Sequence, residues 1–369
     1  MNSSVGLLRC NSYDEKDVNE TVKAITRPFK EENKDVLKGK SVVIYFDFPA
    51  PNAKVVKATI DFLRESGVSK ITAGAFLFTK NEEFNELKTV FNEAGIEFID
   101  FSKGQFEKLT TPLIKEKMPE HFRGYALLSP VQYTREKQYD KMGVKGKRML
   151  KYSFLPVALT DSDYIVPILK LKTSPVTGLG GVVSSVFGLI PTITRNRILV
   201  SKVNYQMERA LLEAYALLKD RILFVLIDGI RADISDDEEI NKMNVIIFGE
   251  DGLAVDSVSS VLIGYRSRDI KTNKIGDDIM LGNGLFSHVS IYGDDFLEFR
   301  KEAKKYLKFK PNVKSFPEIA VQDKNTLMRI EQFCPTGAIK IENGQYAIDR
   351  KSCIRCMFCV QIAPDIFKL

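Results

Sequence analysis

Cys353, Cys356 and Cys359 stand in a C-x2-C-x2-C run, and Cys334 lies 19 residues upstream, followed directly by Pro335. Four of the five cysteines therefore fall within the last 36 residues. Three thiolates on one tight loop can each reach a different iron of a cubane, and a remote fourth thiolate closes the cage. A structural zinc site more often takes two ligands from each of two C-x2-C knuckles. The spacing thus favours iron and keeps zinc as the alternative. The N-terminal MNSSVGLLRCNSYDE has neither a basic stretch nor a sustained apolar run, so it does not read as a secretory signal. The expected compartment is the cytoplasm, where thiols stay reduced and a cysteine cluster reads as a metal site rather than as disulfides.

The run resembles the bacterial two-cluster ferredoxins, whose half-motif reads C-x2-C-x2-C-x3-C-P and whose fourth cysteine in each half ligates the other half's cluster. Laid on this chain, the first half keeps only its closing Cys334-Pro335, and its three leading positions fall on Lys324, Leu327 and Ile330. The second half keeps Cys353, Cys356 and Cys359, and its closing position falls on Ala363, still followed by Pro364. The resemblance then sorts the ligands. One cluster would need Lys324, Leu327, Ile330 and Ala363, which supply no thiolate. The other would need Cys334, Cys353, Cys356 and Cys359, all present. The resemblance therefore implies one 4Fe–4S cluster, with Leu327, Ile330 and Ala363 filling the other site as an apolar plug.

Between the halves, AIKIENGQYAID alternates apolar residues around Asn343-Gly344. That dipeptide is a strong hairpin signal, because both turn positions need positive φ. Pro311 and Pro317 mark the linker, and the expected division is an α/β domain over 1–312 and a small α+β ferredoxin-like domain over 313–369.

A chain of 369 residues exceeds the roughly 250–300 residues at which one core stops growing, so a large and a small domain are expected. In the large part, apolar β-rich runs alternate with helical patterns. Strands are expected at 41–48, 70–78, 96–101, 164–169, 221–227 and 244–248, and helices at 53–66, near 82–94, near 203–219 and near 252–263. This alternation predicts an α/β fold with a mainly parallel sheet and helices on both faces.

The formal net charge of +6 over the whole chain is too dilute to argue for nucleic acid. The most apolar tract, 178–193, is shorter than a bilayer span. Neither a nucleic-acid nor a membrane partner is expected. Basic residues concentrate at 134–151 and 301–314, where solvated faces or docking surfaces for an acidic redox partner or an anionic substrate are the competing readings. The acidic run 233–239 reads as a surface turn. P-loop, serine-elbow and H-E-x-x-H signatures are missing, and with two histidines, His121 and His288, a histidine-based metal centre is excluded. Both histidines read as surface or structurally bonded groups, and Cys10 reads as a small buried hydrophobe.

In PILKLKTSPVTGLGGVVSSVFG (167–188), Lys170 and Lys172 sit at the expected end of a strand, and Gly178, Gly180 and Gly181 open the next segment. A glycine-rich turn at the carboxyl end of a strand suits an anion, with Arg195, Arg197 and Lys202 following closely; a turn required by close packing is the competing reading. This tract, with LIDGI (226–230), EDGLAVDSVSSVLIG (250–264) and the N-terminal VGLLRCNSYD, resembles the domain of unknown function 362 family. The resemblance implies an α/β region joined to a ferredoxin-like module. The chain departs from the family's pattern at Tyr45-Phe46-Asp47, at Ser174 and at Ser184-Ser185, so no reaction is carried over. Asp228, Asp251 and Asp256 match the pattern, and turn or capping roles account for them as well as a functional role does.

Three functions are expected in order. The first is single-electron transfer through the cluster, to or from the α/β domain or a docked redox partner protein. The second is an oxidoreductase, a reductase or radical-type enzyme, acting on a small anionic substrate near Lys170–Gly181. The third is a non-catalytic binding or sensing protein with a structural cluster.

Overall fold

Along the central strands, neighbouring residues point alternately into two separate apolar cores, and that alternation fixes the layers. Val42, Ile44, Val166, Ile168, Leu226 and Ile246 face one core, whereas Val43, Tyr45, Ile165, Leu169, Val225, Ile227 and Val245 face the other. A strand has a period of two, so a sheet covered on both sides must be apolar at consecutive positions. The computed structural model describes residues 3–33, 35–76, 83–101, 103–110, 150, 152–189, 206–234, 238–304, 316–331, 334, 336–353, 355, 359–360, 363 and 365–368.

The strands of the large part are β1 (Ser3–Arg9), β2 (Ser41–Tyr45), β3 (Lys70–Ala75), β4 (Glu97–Asp100), β5 (Phe106–Thr110), β6 (Tyr152–Pro156), β7 (Tyr164–Ser174), β8 (Gly178–Leu179), β9 (Val225–Asp233), β10 (Val245–Gly249) and β11 (Val289–Gly293). A nine-stranded sheet runs β11-β1-β10-β9-β7-β2-β3-β4, with β8 attached to β7. Every pairing along that row is parallel except the two made by β10, which runs against β1 and β9. The fold is therefore α/β with a mainly parallel sheet, and the carboxyl ends of β1, β2, β7 and β9 gather at one edge. Strands β5 and β6 form a separate antiparallel pair.

Helices α1 (Glu15–Glu32), α2 (Ala53–Glu65) and α3 (Glu83–Glu93) cover one face, contributing Val18, Val22, Ile25, Phe29, Val56, Ile60 and Phe91 to its core. On the other face lie α4 (Val182–Ser185), α5 (Gln206–Leu218), α6 (Gly252–Leu262) and α7 (Lys271–Asp278), with Val183, Leu211, Tyr215, Val258 and Ile275 buried there. Asp14, Asn52 and Asp251 cap α1, α2 and α6 by accepting backbone N–H groups of the first turn. Cys10 is buried in the first of these cores, as its composition-level reading expects. Helix α8 (Phe296–Lys304) closes the large part. Among the described residues, no helix is long and apolar enough to cross a membrane.

Beyond residue 316 the elements are small: β12 (Glu318–Ile319), α9 (Lys324–Glu331), β13 (Ile339–Glu342), β14 (Gln345–Ile348) and β15 (Phe367–Lys368). Strands β13 and β14 form the expected hairpin, closed at Glu342↔Gln345 around Asn343 (φ 51°) and Gly344 (φ 82°). Gln322 extends it by donating to Tyr346 O and accepting from Tyr346 N. Strands β12 and β15 pair antiparallel. Leu327, Ile330 and Ala363 are buried together in one apolar cluster with Ile339, Tyr346, Val360, Ile366 and Phe367. The expected boundary at 312/313 lies outside the described residues.

Gly344 has open space around a would-be Cβ, so its substitution tests backbone strain alone. Gly344→Ala should cost about 1–2 kcal/mol of local stability. Amide exchange at Lys340 and Ala347, a hydrogen-bonded pair of the hairpin, should speed up by roughly five- to thirtyfold, with the exchange of β7 amides unchanged.

Candidate functional site

Two places bring reactive side chains together: the edge where the parallel strands end, and the cysteine-bearing loops of the last 36 residues.

At the strand edge, β7 does not stop before its lysines. It continues through them to Ser174, and Lys170 lies directly beside Asp228 of β9 in the parallel register. Asp228 is fully buried, and a buried carboxylate must have its lone pairs satisfied. Lys170 Nζ donates to its Oδ2 at 3.1 Å, and Tyr13 Oη donates to it at 2.9 Å. Backbone N–H groups of Asn52 (2.9 Å) and Ile230 (3.2 Å) complete the shell. Lys170 also donates to Tyr13 Oη at 2.9 Å and lies over the Tyr13 ring, 5.3 Å from its centroid. Burial, then the Asp228 charge, push the Tyr13 phenol far above its ordinary range, so it stays a neutral donor. One carboxylate thereby ties the loops after β1 and β2 to the two central strands. It also sits before the N-terminus of α2, where a negative charge is favoured.

Two residues on, β7 is irregular and Lys172 is aimed elsewhere. Its Nζ donates to Asp47 Oδ2 (2.8 Å) and to Phe48 O (2.7 Å), in the loop after β2. The Lys172 side chain is 10% exposed and that of Asp47 33%. A Cβ at Gly180 would lie 2.4 Å from Lys172 Cγ, so this glycine exists to let the lysine stem pass. Gly181 has a parallel reason: a Cβ there would lie 2.1 Å from Asp256 Oδ1.

Asp256 of α6 accepts the N–H groups of Val182 (2.6 Å) and Val183 (3.0 Å) at the start of α4. The glycine turn does present backbone N–H groups to an anion, and a side chain of the same chain takes them. Burial pushes the Asp256 carboxyl up to about 7, against the lowering pull of those two N–H groups. Nearby, Tyr45 Oη hydrogen-bonds Ser185 Oγ, which donates to Val182 O at 2.7 Å. Ser174 Oγ accepts from Val176 N and Thr177 N, and Gly178 takes a positive φ of 82° in the same turn.

The structure therefore brings Lys170, Lys172, Gly180 and Gly181 to one region but gives each a partner within the fold. An incoming anion would have to compete with Asp228, Asp47 and Asp256. Arg195, Arg197 and Lys202 lie outside the described residues, as do His121, residues 134–149 and residues 305–314 of the two basic stretches, and 235–237 of the acidic run. His288 is half-exposed and bonded to Asp277 through Nδ1 at 2.9 Å. Tyr13 and Asp47 were not expected. Tyr13 carried a signal, since it lies just after β1 and one residue before the α1 cap.

The second place is the cysteine region. Cys334, Cys353 and Cys359 are partly exposed, and Cys356 lies outside the described residues. Ala338 N–H donates to Cys334 Sγ at 3.1 Å, and the N–H of Arg355, at φ 55°, is directed to the Cys353 thiol. Burial raises the Cys353 pKa, and Cys334 is near enough that a charge there raises it further. Cys334 and Cys359 both pack against the apolar cluster of Leu327, Ile330 and Ala363. Among the described residues, no group of three or more His, Cys, Asp or Glu forms a metal cage.

Two outcomes are expected at the strand edge. Asp228→Ala should destabilise the protein by about 3–5 kcal/mol in urea unfolding, because it strands the Lys170 ammonium; Lys170→Met in the same chain should recover part of the loss. Asp256 is a carboxyl whose folded pKa is raised, so the native state holds a proton that the unfolded chain has lost between about pH 4 and pH 7. Its contribution to stability falls as pH rises through that window. The stability gap between the native sequence and Asp256→Asn should shrink from pH 5 to pH 8, by on the order of 3 kcal/mol.

Three similarities to known proteins accompany this geometry. The lactate racemase apoprotein of Thermoanaerobacterium thermosaccharolyticum aligns over 69% of this chain and 57% of its own, at 12% identity and a TM-score of 0.39. The chain is 44% identical over 36 residues to the "Sulfite reductase, dissimilatory-type subunit alpha" of Megalodesulfovibrio gigas. That stretch is 10% of this chain and spans 18% of the reductase subunit. The pattern of the family described as "Domain of unknown function (DUF362)" matches residues 114–260, a stretch that takes in the tracts at 167–188 and 226–230.

Proposed function

We propose that the protein carries one 4Fe–4S cluster on Cys334, Cys353, Cys356 and Cys359 and passes single electrons through it. The observation that carries this reading is the setting of Cys334 and Cys353. They come from separate loops, lie within each other's electrostatic reach, and each receives a backbone N–H at its sulfur. Such donors suit thiolates that share out negative charge to iron, and hydrogen bonds to sulfur are one of the means by which a protein sets a cluster's potential. Two-knuckle zinc spacing is not present in the sequence. When bound, a cubane supplies a reversible one-electron centre.

The chain's own residues account for the rest of the arrangement. Leu327, Ile330 and Ala363 stand where the ferredoxin pattern would put ligands of a second cluster, and they are buried as one apolar cluster. Filling that volume keeps the small module packed with a single cluster. Cys334 and Cys359 lean on the same apolar residues, so the plug also positions two of the proposed ligands. The strand-edge site is a weaker place for a small anion, since its lysines and its helix N-terminus already hold Asp228, Asp47 and Asp256. A reducing, cytoplasmic setting fits the thiolate ligands of this reading.

Anaerobically purified protein should be brown, contain about four irons per chain, and lose its visible absorption on dithionite reduction with the appearance of an EPR signal. Cys→Ser at 334, 353, 356 or 359 should each lower the iron content, whereas Cys10→Ser should not. Stoichiometric zinc, or roughly eight irons, would refute the assignment.

A further inference from the structure

From Arg350 to Pro364 the chain carries three of the four proposed ligands, three basic side chains (Arg350, Lys351 and Arg355) and no acidic one. The preceding acid, Asp349, is consumed internally. It accepts from Lys340 Nζ (2.7 Å), Ser352 Oγ (2.7 Å) and Lys351 N (3.0 Å), and the Lys340 bond above all holds its carboxyl below the ordinary range. Its charge is thereby balanced by Lys340. Arg350 pairs with Glu318 at 3.5 Å, with both side chains largely exposed. Such a pair contributes little and leaves the arginine available.

The rim is also ordered. The guanidinium carbons of Arg350 and Arg355 lie 5.4 Å and 5.2 Å from the centroid of the same ring, Phe316. Two cations held on one aromatic ring keep their positions against mutual repulsion. One of these arginines is three residues before Cys353 and the other two residues after it, so the fixed charge borders the cysteine loop. Arg350 is 67% exposed, and Lys351 is exposed beside it. A small anion needs a concave site to hold it, whereas an open rim of fixed cations fits a convex surface bearing several carboxylates.

We infer that this rim docks an acidic redox protein over the cysteine loop, so that electrons enter or leave the cluster at that edge. The inference rests on the cluster reading above and adds the kind of partner. One electron moves per encounter: the partner's flavin or iron centre is oxidised by one electron, the cluster is reduced by one, and no proton or group is transferred. Charge on the rim acts mainly on the rate of productive encounter, which electrostatic steering raises by about 10–10³-fold and which falls with ionic strength.

The test uses the full-length, iron-loaded protein and two reductants in anaerobic stopped flow: a photoreduced acidic flavodoxin, and the small uncharged radical of 5-deazariboflavin. With flavodoxin, the second-order rate should fall by about tenfold or more from low to high salt. Arg350→Glu with Lys351→Glu should lower the low-salt rate by a similar factor, and the paired Gln substitutions by less. The deazariboflavin rate should stay unchanged in all variants. A flavodoxin rate indifferent to salt and to the substitutions would overturn the docking inference while leaving the cluster intact. Equal slowing with both reductants, together with a shifted midpoint potential, would also overturn it, because the cations would then be compensating the cluster's own charge. Iron-free protein would remove both readings at once.

Discussion

The buried carboxylate of Asp228 is the constraint on which the strand edge depends. A charge with no exposure in the middle of a sheet is tolerated only when an opposite charge and several donors surround it. Lys170 supplies the charge from the neighbouring strand, and Tyr13, Asn52 and Ile230 supply the donors. These partners come from four segments far apart in sequence, so satisfying one side chain fixes the relative placement of the loops after β1 and β2 and of strands β7 and β9. The second ion pair, Lys172–Asp47, then draws the loop after β2 across the end of β7. The geometry of this edge follows from charge satisfaction more than from any demand of the apolar cores beneath it.

This explains which parts of the fold were legible in the sequence. SVVIY and VIIFG are strands because they are apolar on consecutive residues, and both faces of the sheet are covered. The expected strands at 164–169 and 221–227 were misplaced at their carboxyl ends, since the observed strands run to Ser174 and Asp233. Lys170, Lys172 and Asp228 look like strand-ending polar residues until their side-chain partners are known, and those partners lie 58 to 215 residues away in sequence. The reversal of β10 carries no signature within its own residues. It was legible only in the eleven-residue gap between Asp233 and Val245, which is short for the crossover that a parallel neighbour would need. Helix α1 was not among the expected helices, although Val18, Val22, Ile25 and Phe29 recur at helical spacing behind the Asp14 cap; Pro28 lies within it, near its end.

The glycine-rich turn shows why a motif's chemistry and its occupant are separate questions. Sequence reasoning placed free N–H groups at the end of a strand, and the structure has them, at Val182 and Val183. Their anion is Asp256, delivered by α6 from more than seventy residues downstream. Gly181 is needed because the carboxylate approaches so closely, and Gly180 because the Lys172 stem does. Close packing thus requires both glycines, one against the Lys172 stem and one against the Asp256 carboxyl. The neighbouring polar residues are tied in as well: Tyr45 is bonded to Ser185, Asp47 to Lys172, and Ser174 Oγ accepts from the N–H of Thr177.

The small C-terminal part obeys the opposite balance. Among the described residues its apolar cluster has eight buried members, and a unit of some fifty residues is of the size that commonly gains from a further cross-link. Two of the proposed ligands, Cys334 and Cys359, stand at the border of that cluster, and the Asn343-Gly344 hairpin joins the segment bearing Cys334 to the one bearing Cys353. Metal bonds at those thiols would connect segments that the apolar contacts alone hold weakly, and folding free energy would then be shared between iron and core.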